Sequence, residues 1–295
     1  VKIIVTQPFK WEPILDYLNR DALEPMYQVI DGRVRRAFEV DGKIIICEIT
    51  YDELDKCLCV TFLNHQKVSP IGEQEIADYI SEWLDLDYHL EAFYQFAETD
   101  ELLAELIPQF YGLRLVGVPD FYEALVWGIL GQQINLSFAY TLKKRFVEKY
   151  GKKIEYQDEV YWIHPKAEDV AKTTQEDLLS LRLTQRKAEY LLDVSRRVAS
   201  GEMSKSYYLN CDSAKEAEKD LIKIRGIGPW TANYVLMRCL RMGEAFPMKD
   251  IGLLNGIKTI RGLDEKPTSG DLLALKDQFG EWCSYATFYI WRVLY

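Results

Sequence analysis

Residues 221–240 read LIKIRGIGPWTANYVLMRCL. Two helical patterns meet there across only three residues, Gly226-Ile227-Gly228. So short a link forces the two helices to pack on each other as an αα-hairpin. Leu221 and Ile224 face the partner helix, and Ala232 and Val235 face back. The small Ala232 lets the helices cross closely. Pro229 suits the first helical turn, where its missing N–H costs nothing. The glycines reach backbone conformations closed to other residues. The N–H groups of the turn and of the second helix's first residues then point outward together. They form an anion site that needs no cationic side chain, and a DNA phosphate is its natural occupant. Thr231 adds a hydroxyl. The plainer alternative is a hairpin whose glycines serve only the turn.

Around this hairpin the chain divides into two styles. The first part alternates β-rich runs with turn dipeptides: 1–5, 27–30, 34–40, 43–49 and 58–62, with Asp31-Gly32 and Asp41-Gly42 between runs. Asp-Gly between β-branched segments is a strong hairpin signal, so an antiparallel meander is expected, curved around one or two helices. A helix is expected at 12–19, and the pattern turns helical after Pro70. Helices are predicted at 119–130, 135–150, 174–181, 185–199, 213–224, 229–242, 251–260, 269–279 and 282–295. A small hairpin at 152–165 interrupts them. Thr174 with Asp177 marks one helix start, and Gly201 closes the helix before it. The fold class is α+β, a sheet module followed by a helical body.

With 295 residues, 48% of them hydrophobic, the chain buries a core without disulfides or a structural metal. The six cysteines (47, 57, 59, 211, 239, 283) form no C-x-x-C pair, and the three histidines lie apart from them. Reduced core thiols in a cytoplasmic protein are expected, with no metal site. No apolar run is long enough to span a membrane, and the first residues lack a secretory pattern. The net charge of −10 argues at first against nucleic acid. It is uneven, however: residues 1–114 hold 10 Lys/Arg and 22 Asp/Glu, and residues 115–295 hold 26 and 24. The acidity belongs to the N-terminal part, which is expected to face away from any polyanion.

Ala245-Phe246-Pro247-Met248-Lys249-Asp250 leads into the helix at 251–260. Asp250 stands at the helix start, where its ordinary role is N-cap. A helix-hairpin-helix followed at this spacing by such an aspartate resembles the helix-hairpin-helix DNA glycosylase superfamily. Leu130-Gly131-Gln132-Gln133-Ile134 lies where that family places its DNA-penetrating loop. Residues 225–234 (RGIGPWTANY) and 282–291 (WCSYATFYIW) look like its alkylation-repair branch, the bacterial DNA-3-methyladenine glycosylase II type. The mixed N-terminal module fits that branch too.

The resemblance implies roles for individual residues. Asp250 matches the catalytic aspartate, and Trp230, Tyr234 and Trp282 match aromatic residues of the base pocket. Gly226, Gly228 and Thr231 match the phosphate-binding hairpin, flanked by Arg225 and Lys249. Gln132, Gln133 and Ile134 match the loop that enters the minor groove. One well-known relative carries an apolar wedge where this chain has Gln133, which leaves the wedge open between Gln133 and Ile134. The hairpin's backbone carbonyls can hold a monovalent cation in the family; no other cofactor is implied. Relatives that also cut the strand carry a hairpin lysine at the position of Trp230, so no lyase activity is expected. A C-terminal four-cysteine cluster is absent, since only Cys283 follows Cys239.

These residue types suit one chemistry. A base inside a duplex must be flipped out to be reached. Alkylation at a ring nitrogen makes a purine cationic, and aromatic faces attract a cation by about 0.5–2 kcal/mol per contact. A cationic base leaves readily, and a carboxylate stabilises the oxocarbenium-like sugar that remains. The same aromatics could instead simply fill a core. Lys143, Lys144, Arg145, Lys149, Lys152 and Lys153 form one basic cluster, and Arg225, Arg238, Arg241 and Lys249 another. Either a DNA face or a solvated helix face accounts for the first; the second flanks the anion site.

The expectation is a monomeric, monofunctional glycosylase acting on double-stranded DNA with alkylated purines. Its all-α body has two helical subdomains, 119–241 and 99–118 with 242–295, with the active site in the cleft between them. Residues 1–98 form the N-terminal antiparallel β-sheet module. The alternatives are a glycosylase for an oxidised or deaminated base, and a non-catalytic binder of damaged DNA.

Overall fold

The computed structural model describes residues 1–294. The chain begins with β1 (Lys2–Ile4), α1 (Trp11–Leu18), β2 (Tyr27–Ile30), β3 (Arg33–Val40), β4 (Lys43–Asp52) and β5 (Cys57–Phe62). The strands pair antiparallel in the order β1-β5-β4-β3-β2. Ile30 pairs with Arg33 and Val40 with Lys43, so both Asp-Gly pairs close two-residue loops. Asp31 and Gly32 sit at φ 49° and 75°, Asp41 and Gly42 at 52° and 68°. Both residues being left-handed is what a twisted hairpin requires. One face of the sheet buries Val34, Phe38, Ile45, Cys47 and Ile49 in the same core as Trp11, Ile14 and Leu18 of α1.

Helices follow: α2 (Pro70–Trp83), α3 (Leu90–Ala97), α4 (Leu106–Gln109), α5 (Phe121–Leu130) and α6 (Leu136–Tyr150). The hairpin β6 (Lys152–Tyr156) with β7 (Glu159–Ile163) comes next. The body is completed by α7 (Ala167–Val170), α8 (Gln175–Leu179), α9 (Gln185–Ala199), α10 (Lys205–Leu209), α11 (Ala214–Leu221), α12 (Pro229–Arg238), α13 (Ile251–Arg261), α14 (Ser269–Phe279) and α15 (Cys283–Trp291). Thr174 and Asp177 make a reciprocal capping box at α8. Several helices are shorter than expected, among them α11, which ends at Leu221, α12 and α15. α12 stops at Arg238 because the chain closes with Arg241 at φ 54° and the Leu240 N–H on the Val235 carbonyl at 3.0 Å. The last segment is α15 flanked by 3₁₀ turns, Gly280–Trp282 and Arg292–Leu294.

The sheet module is joined to the helical body by buried charge. Arg36 of β3 lies 3.4 Å from Glu123 of α5, and Lys143 of α6 lies 3.1 Å from Glu123 and 2.8 Å from Glu24. All four side chains are at most 7% exposed. Burial by itself pushes the Glu123 carboxyl up, but Lys143 and Arg36 outweigh it and hold it at about 2. On the outer face of the sheet, Tyr161 of β7 packs with Ala37 and Ile46, and Lys152 and Lys166 both pair with Glu39.

The segment between the sheet and α5 belongs with the C-terminal helices. Phe93 of α3 lies 5.2–5.3 Å from the rings of Tyr285 and Tyr289 on α15. The fully buried Arg114 donates to the carbonyls of Tyr88, Thr6 and Pro8, stitching this segment to the N-terminal strand region. α5 runs against α12 so closely that a Cβ on Gly128 would come within 2.6 Å of the Thr231 side chain.

Candidate active site

Asp250 is the N-cap of α13, with Oδ1 accepting the Leu253 N–H at 2.6 Å. Oδ1 also accepts the indole N–H of Trp291 at 2.8 Å, and Oδ2 accepts that of Trp230 at 2.7 Å. The capping role and a half-buried, oriented carboxylate therefore coexist. Three segments assemble the group. α12 brings Trp230 in its first turn, and α15 brings Trp291 as its last residue. The connection between α12 and α13 is pinned where Asn233 Oδ1 accepts the Phe246 N–H at 2.9 Å. A Cβ on Gly252 would meet Asp250 Oδ1 at 3.0 Å and Trp291 at 3.2 Å, so this approach is close.

Trp230 stacks on Tyr234, with centroids 5.7 Å apart and planes at 25°. Tyr234 is buried, which pushes its phenol up to about 12. The Arg238 guanidinium stands 5.5 Å from its ring. Behind it a small cavity of about 30 Å³ is lined by Tyr17, Arg20, Tyr140, Tyr234 and Arg238. Tyr17, in α1, and Arg20, just beyond its end, come from the N-terminal module, and no sequence pattern marks them. Burial alone would raise the Tyr17 phenol, but the guanidiniums of Arg20 and Arg238, at 3.8 and 5.6 Å from its ring, outweigh burial and lower it.

Trp282 does not join this group. It packs on Phe93 and Phe96, 6.0 and 6.5 Å between centroids, at the start of α15. Nine helical residues, roughly 13 Å of axis, separate it from the end that reaches Asp250. Trp291, which the sequence reading passed over, takes the place expected of it. Both tryptophans lie in WCSYATFYIW, and only the crossing of α15 over α13 selects between them.

At the hairpin, Gly226 sits at φ 95°, and a Cβ there would meet the Tyr190 ring at 2.2 Å. Gly228 has φ −90°, and a Cβ there would meet no atom within 4 Å among the described residues. Its openness suits the approach of a phosphate to the start of α12. Thr231 does not take the phosphate-contacting place that the resemblance implies: it is 1% exposed, with its hydroxyl accepting from Gln132 Nε2 at 3.1 Å. Arg225 is exposed and 2.9 Å from Glu189, and Lys249 is exposed beside Asp250. Gln132 is drawn into the protein, Gln133 is exposed at φ 55°, and Ile134 is partly buried against the core.

Several expected basic contacts are spent internally. Lys143 is buried between Glu24 and Glu123, Arg238 donates to the Val116 carbonyl, and Arg241 pairs with Asp85. Lys149 donates to the Asp177 carbonyl, and Lys152 and Lys153 pair with Glu39 and Glu155. Of the first cluster only Lys143 is buried, and Lys144, Lys152 and Lys153 stay 44–48% exposed in surface pairs. A monovalent cation at the hairpin would take carbonyl oxygens as donors. Ile224 O already accepts the Ile227 N–H at 3.0 Å, and Gly226 O accepts Gln132 Nε2 at 2.8 Å. Each keeps a second lone pair, so oxygen-only donors for a weakly held ion fit this turn.

Comparison with known proteins follows the same lines. Residues 126–278 match the family described as HhH-GPD superfamily base excision DNA repair protein, and residues 1–120 match the AlkA N-terminal domain. A DNA-3-methyladenine glycosylase of Bacillus subtilis is 45% identical over 296 residues, covering 99% of this chain and 97% of that one. DNA-3-methyladenine glycosylase 2 of Escherichia coli is 27% identical over 180 residues, 61% of this chain and 60% of that one. The solved 3-methyladenine DNA-glycosylase of Archaeoglobus fulgidus superposes with a TM-score of 0.84 at 23% identity, covering 99% and 97%. With the hairpin, the capped aspartate and the N-terminal sheet all in place, the chain belongs to the HhH-GPD superfamily of base excision DNA repair proteins.

Proposed function

We propose that the protein is a monofunctional DNA glycosylase that removes alkylated purines, 3-methyladenine and 7-methylguanine among them, and leaves an abasic site. The observation that carries this reading is Asp250, oriented by two indole N–H groups beside the stacked pair Trp230 and Tyr234. The Bacillus subtilis relative's activity supports the same substrate class.

In this reading the hairpin's N–H groups hold one phosphate, with Arg225 and Lys249 beside it. Gln133 enters the stack as the base leaves; it is exposed, whereas Ile134 is folded inward. The cationic purine lies against the aromatic faces. The N-glycosidic bond breaks with its electron pair going to the base, and Asp250 stabilises the positive charge that develops on the sugar. Oδ1 holds two donors and Oδ2 one, which leaves Oδ2 the freer oxygen for the sugar or for the attacking water. Water supplies the oxygen that bonds to C1′, and its proton passes to Asp250 or solvent. A monovalent cation on the carbonyls of Ile224 and Gly226 would add positive charge near the held phosphate. With Trp230 at the hairpin position there is no lysine there to form a Schiff base, so the strand stays intact. The protein acts as a monomer.

The test is a base-release panel on methylated, 8-oxoguanine-containing and hypoxanthine-containing duplexes. Release of 3-methyladenine and 7-methylguanine without strand cleavage is expected. Release confined to the oxidised or deaminated base would replace the substrate assignment, and binding without any release would make the protein a damage binder.

A further inference from the structure

The loop between α5 and α6, residues 131–135, is held from three sides. Lys187, in the first turn of α9, is 6% exposed, and its Nζ donates to the Leu130 carbonyl at 2.7 Å. A lysine this buried is rare. Here it meets the C-terminus of α5, where the helix dipole favours a cation. Gln132 Nε2 donates to the Gly226 carbonyl at 2.8 Å and to Thr231 Oγ1 at 3.1 Å. A Cβ built on Gly131 would lie 3.7 Å from Cη2 of Trp230, so the loop's first residue passes close to the ring whose N–H is hydrogen-bonded to Asp250. On the far side, Asn135 caps α6 by accepting the Phe138 N–H at 2.8 Å.

Between these anchors Gln133 is exposed in the left-handed region at φ 55°. A non-glycine residue enters that region at a cost of about 1 kcal/mol or more, and it stays there only when its surroundings over-determine it. The anchors supply that determination. They also join three functions mechanically: the hairpin through Gly226, the pocket through Trp230, and the duplex gap through Gln133.

We propose that Lys187 and Gln132 are positioning residues for base extrusion, holding the loop in the conformation that aims Gln133 into the duplex, in register with the hairpin. This rests on the reading of the protein as a base-flipping glycosylase. The gain is preorganisation. The loop's ordering is completed during folding, so it is not charged against DNA binding or against opening of the base pair. Loss of an anchor therefore slows extrusion and leaves the chemistry at Asp250 alone.

Single-turnover release of 7-methylguanine tests this on two duplexes. In one the lesion faces cytosine; in the other it faces a tetrahydrofuran abasic-site analogue, where no pairing resists extrusion. Lys187→Met should slow release from the paired lesion about tenfold, the effect of one buried charged hydrogen bond. Release from the unpaired lesion should stay within about twofold. Lys187→Arg, which keeps a donor, should recover most of the paired rate. Gln132→Ala should also lose more on the paired than on the unpaired substrate. A 2-aminopurine placed beside the lesion should brighten less on binding Lys187→Met than on binding the unmodified protein. Equal losses on both duplexes, or no loss on either, would overturn the proposal. If Lys187→Met fails to fold, Lys187→Arg and Gln132→Ala carry the comparison. If the unmodified protein releases no base from either duplex, the glycosylase reading fails instead, and the 2-aminopurine signal decides on the brace alone.

Discussion

The indole N–H of Trp230 donates to Oδ2 of Asp250 at 2.7 Å, so a wall of the pocket and the carboxylate beside it are one hydrogen-bonded unit. Oδ1 takes a second indole, that of Trp291. An amide at this position has one acceptor and one donor, so whichever way it turns, an NH₂ faces an indole N–H or the Leu253 N–H. Asp250→Asn should therefore lose base release by roughly 10²–10³-fold, through lost charge and through a displaced Trp230. Its melting temperature should shift little, because Asn caps a helix about as well as Asp. Single-turnover release and a thermal melt measure the two effects. Retained release in this variant would remove Asp250 from the chemistry.

The two tryptophans of α15 separate in the same assay. Trp291→Phe deletes one donor to Asp250 and should slow release about tenfold. Trp282→Phe keeps the ring that packs on Phe93 and Phe96 and should release base within about twofold of the unmodified protein. The reverse order would return the pocket role to Trp282.

The two hairpin glycines should fail in different ways. Gly226→Ala combines a strained φ of 95° with a Cβ 2.2 Å from Tyr190, and should destabilise the protein by about 2 kcal/mol or more. Gly228→Ala has ordinary backbone and open space, so its stability should hold while affinity for abasic-analogue DNA falls. Thermal melts and DNA titrations on both variants check this. Unchanged affinity in Gly228→Ala would move the phosphate elsewhere.

The buried charges at the module junction make stability depend on acid pH. The Glu123 carboxyl is held at about 2 in the folded protein and returns to its ordinary value near 4.5 on unfolding. Its contribution, on the order of 3 kcal/mol, is complete above that ordinary value and is lost as pH falls toward 2. Glu123→Gln should lower the melting temperature at neutral pH, because Arg36 and Lys143 lose a buried partner. It should also flatten the acid dependence between pH 5 and 2 seen in the unmodified protein. Parallel acid profiles for the two proteins would show that this cluster contributes nothing.

DNA affinity should vary only gently with salt. Lys143, Arg238 and Arg241 are engaged within the protein, and Lys149, Lys152, Lys153 and Arg225 hold partners at the surface, which leaves oriented N–H groups and a few exposed cations such as Lys249. A slope of log K against log salt no steeper than about −4 is expected, at roughly −0.9 per phosphate neutralised. A slope near −8 would reveal a basic face that these pairings had concealed.

The elements that local physics decides were legible from the sequence. Asp31-Gly32 and Asp41-Gly42 demand left-handed loops, Thr174 and Asp177 cap one another, and Gly226 is required by its own backbone angle. Asp250 is the same kind of case, since a helix start accepts the aspartate wherever the rest of the chain goes. Such choices are settled within a few residues, where sequence is dense in information.

The choices that tertiary structure made are those in which equivalent side chains compete for one place. Trp282 and Trp291 offer the same indole, and Asp250 receives the one that the crossing of α15 delivers. Lys143 reads as a surface cation until Glu24 and Glu123, 119 and 20 residues away, close around it. Thr231 reads as a hydroxyl free for phosphate until Gly128 lets α5 approach and bury it. Tyr17 and Arg20 reach the back of the pocket from a module whose sequence shows no tie to it. By itself the sequence determined which groups the chemistry had available and the local turns that present them. Packing between distant segments decided which of those groups meet, because burial and hydrogen-bond geometry depend on the positions of both partners.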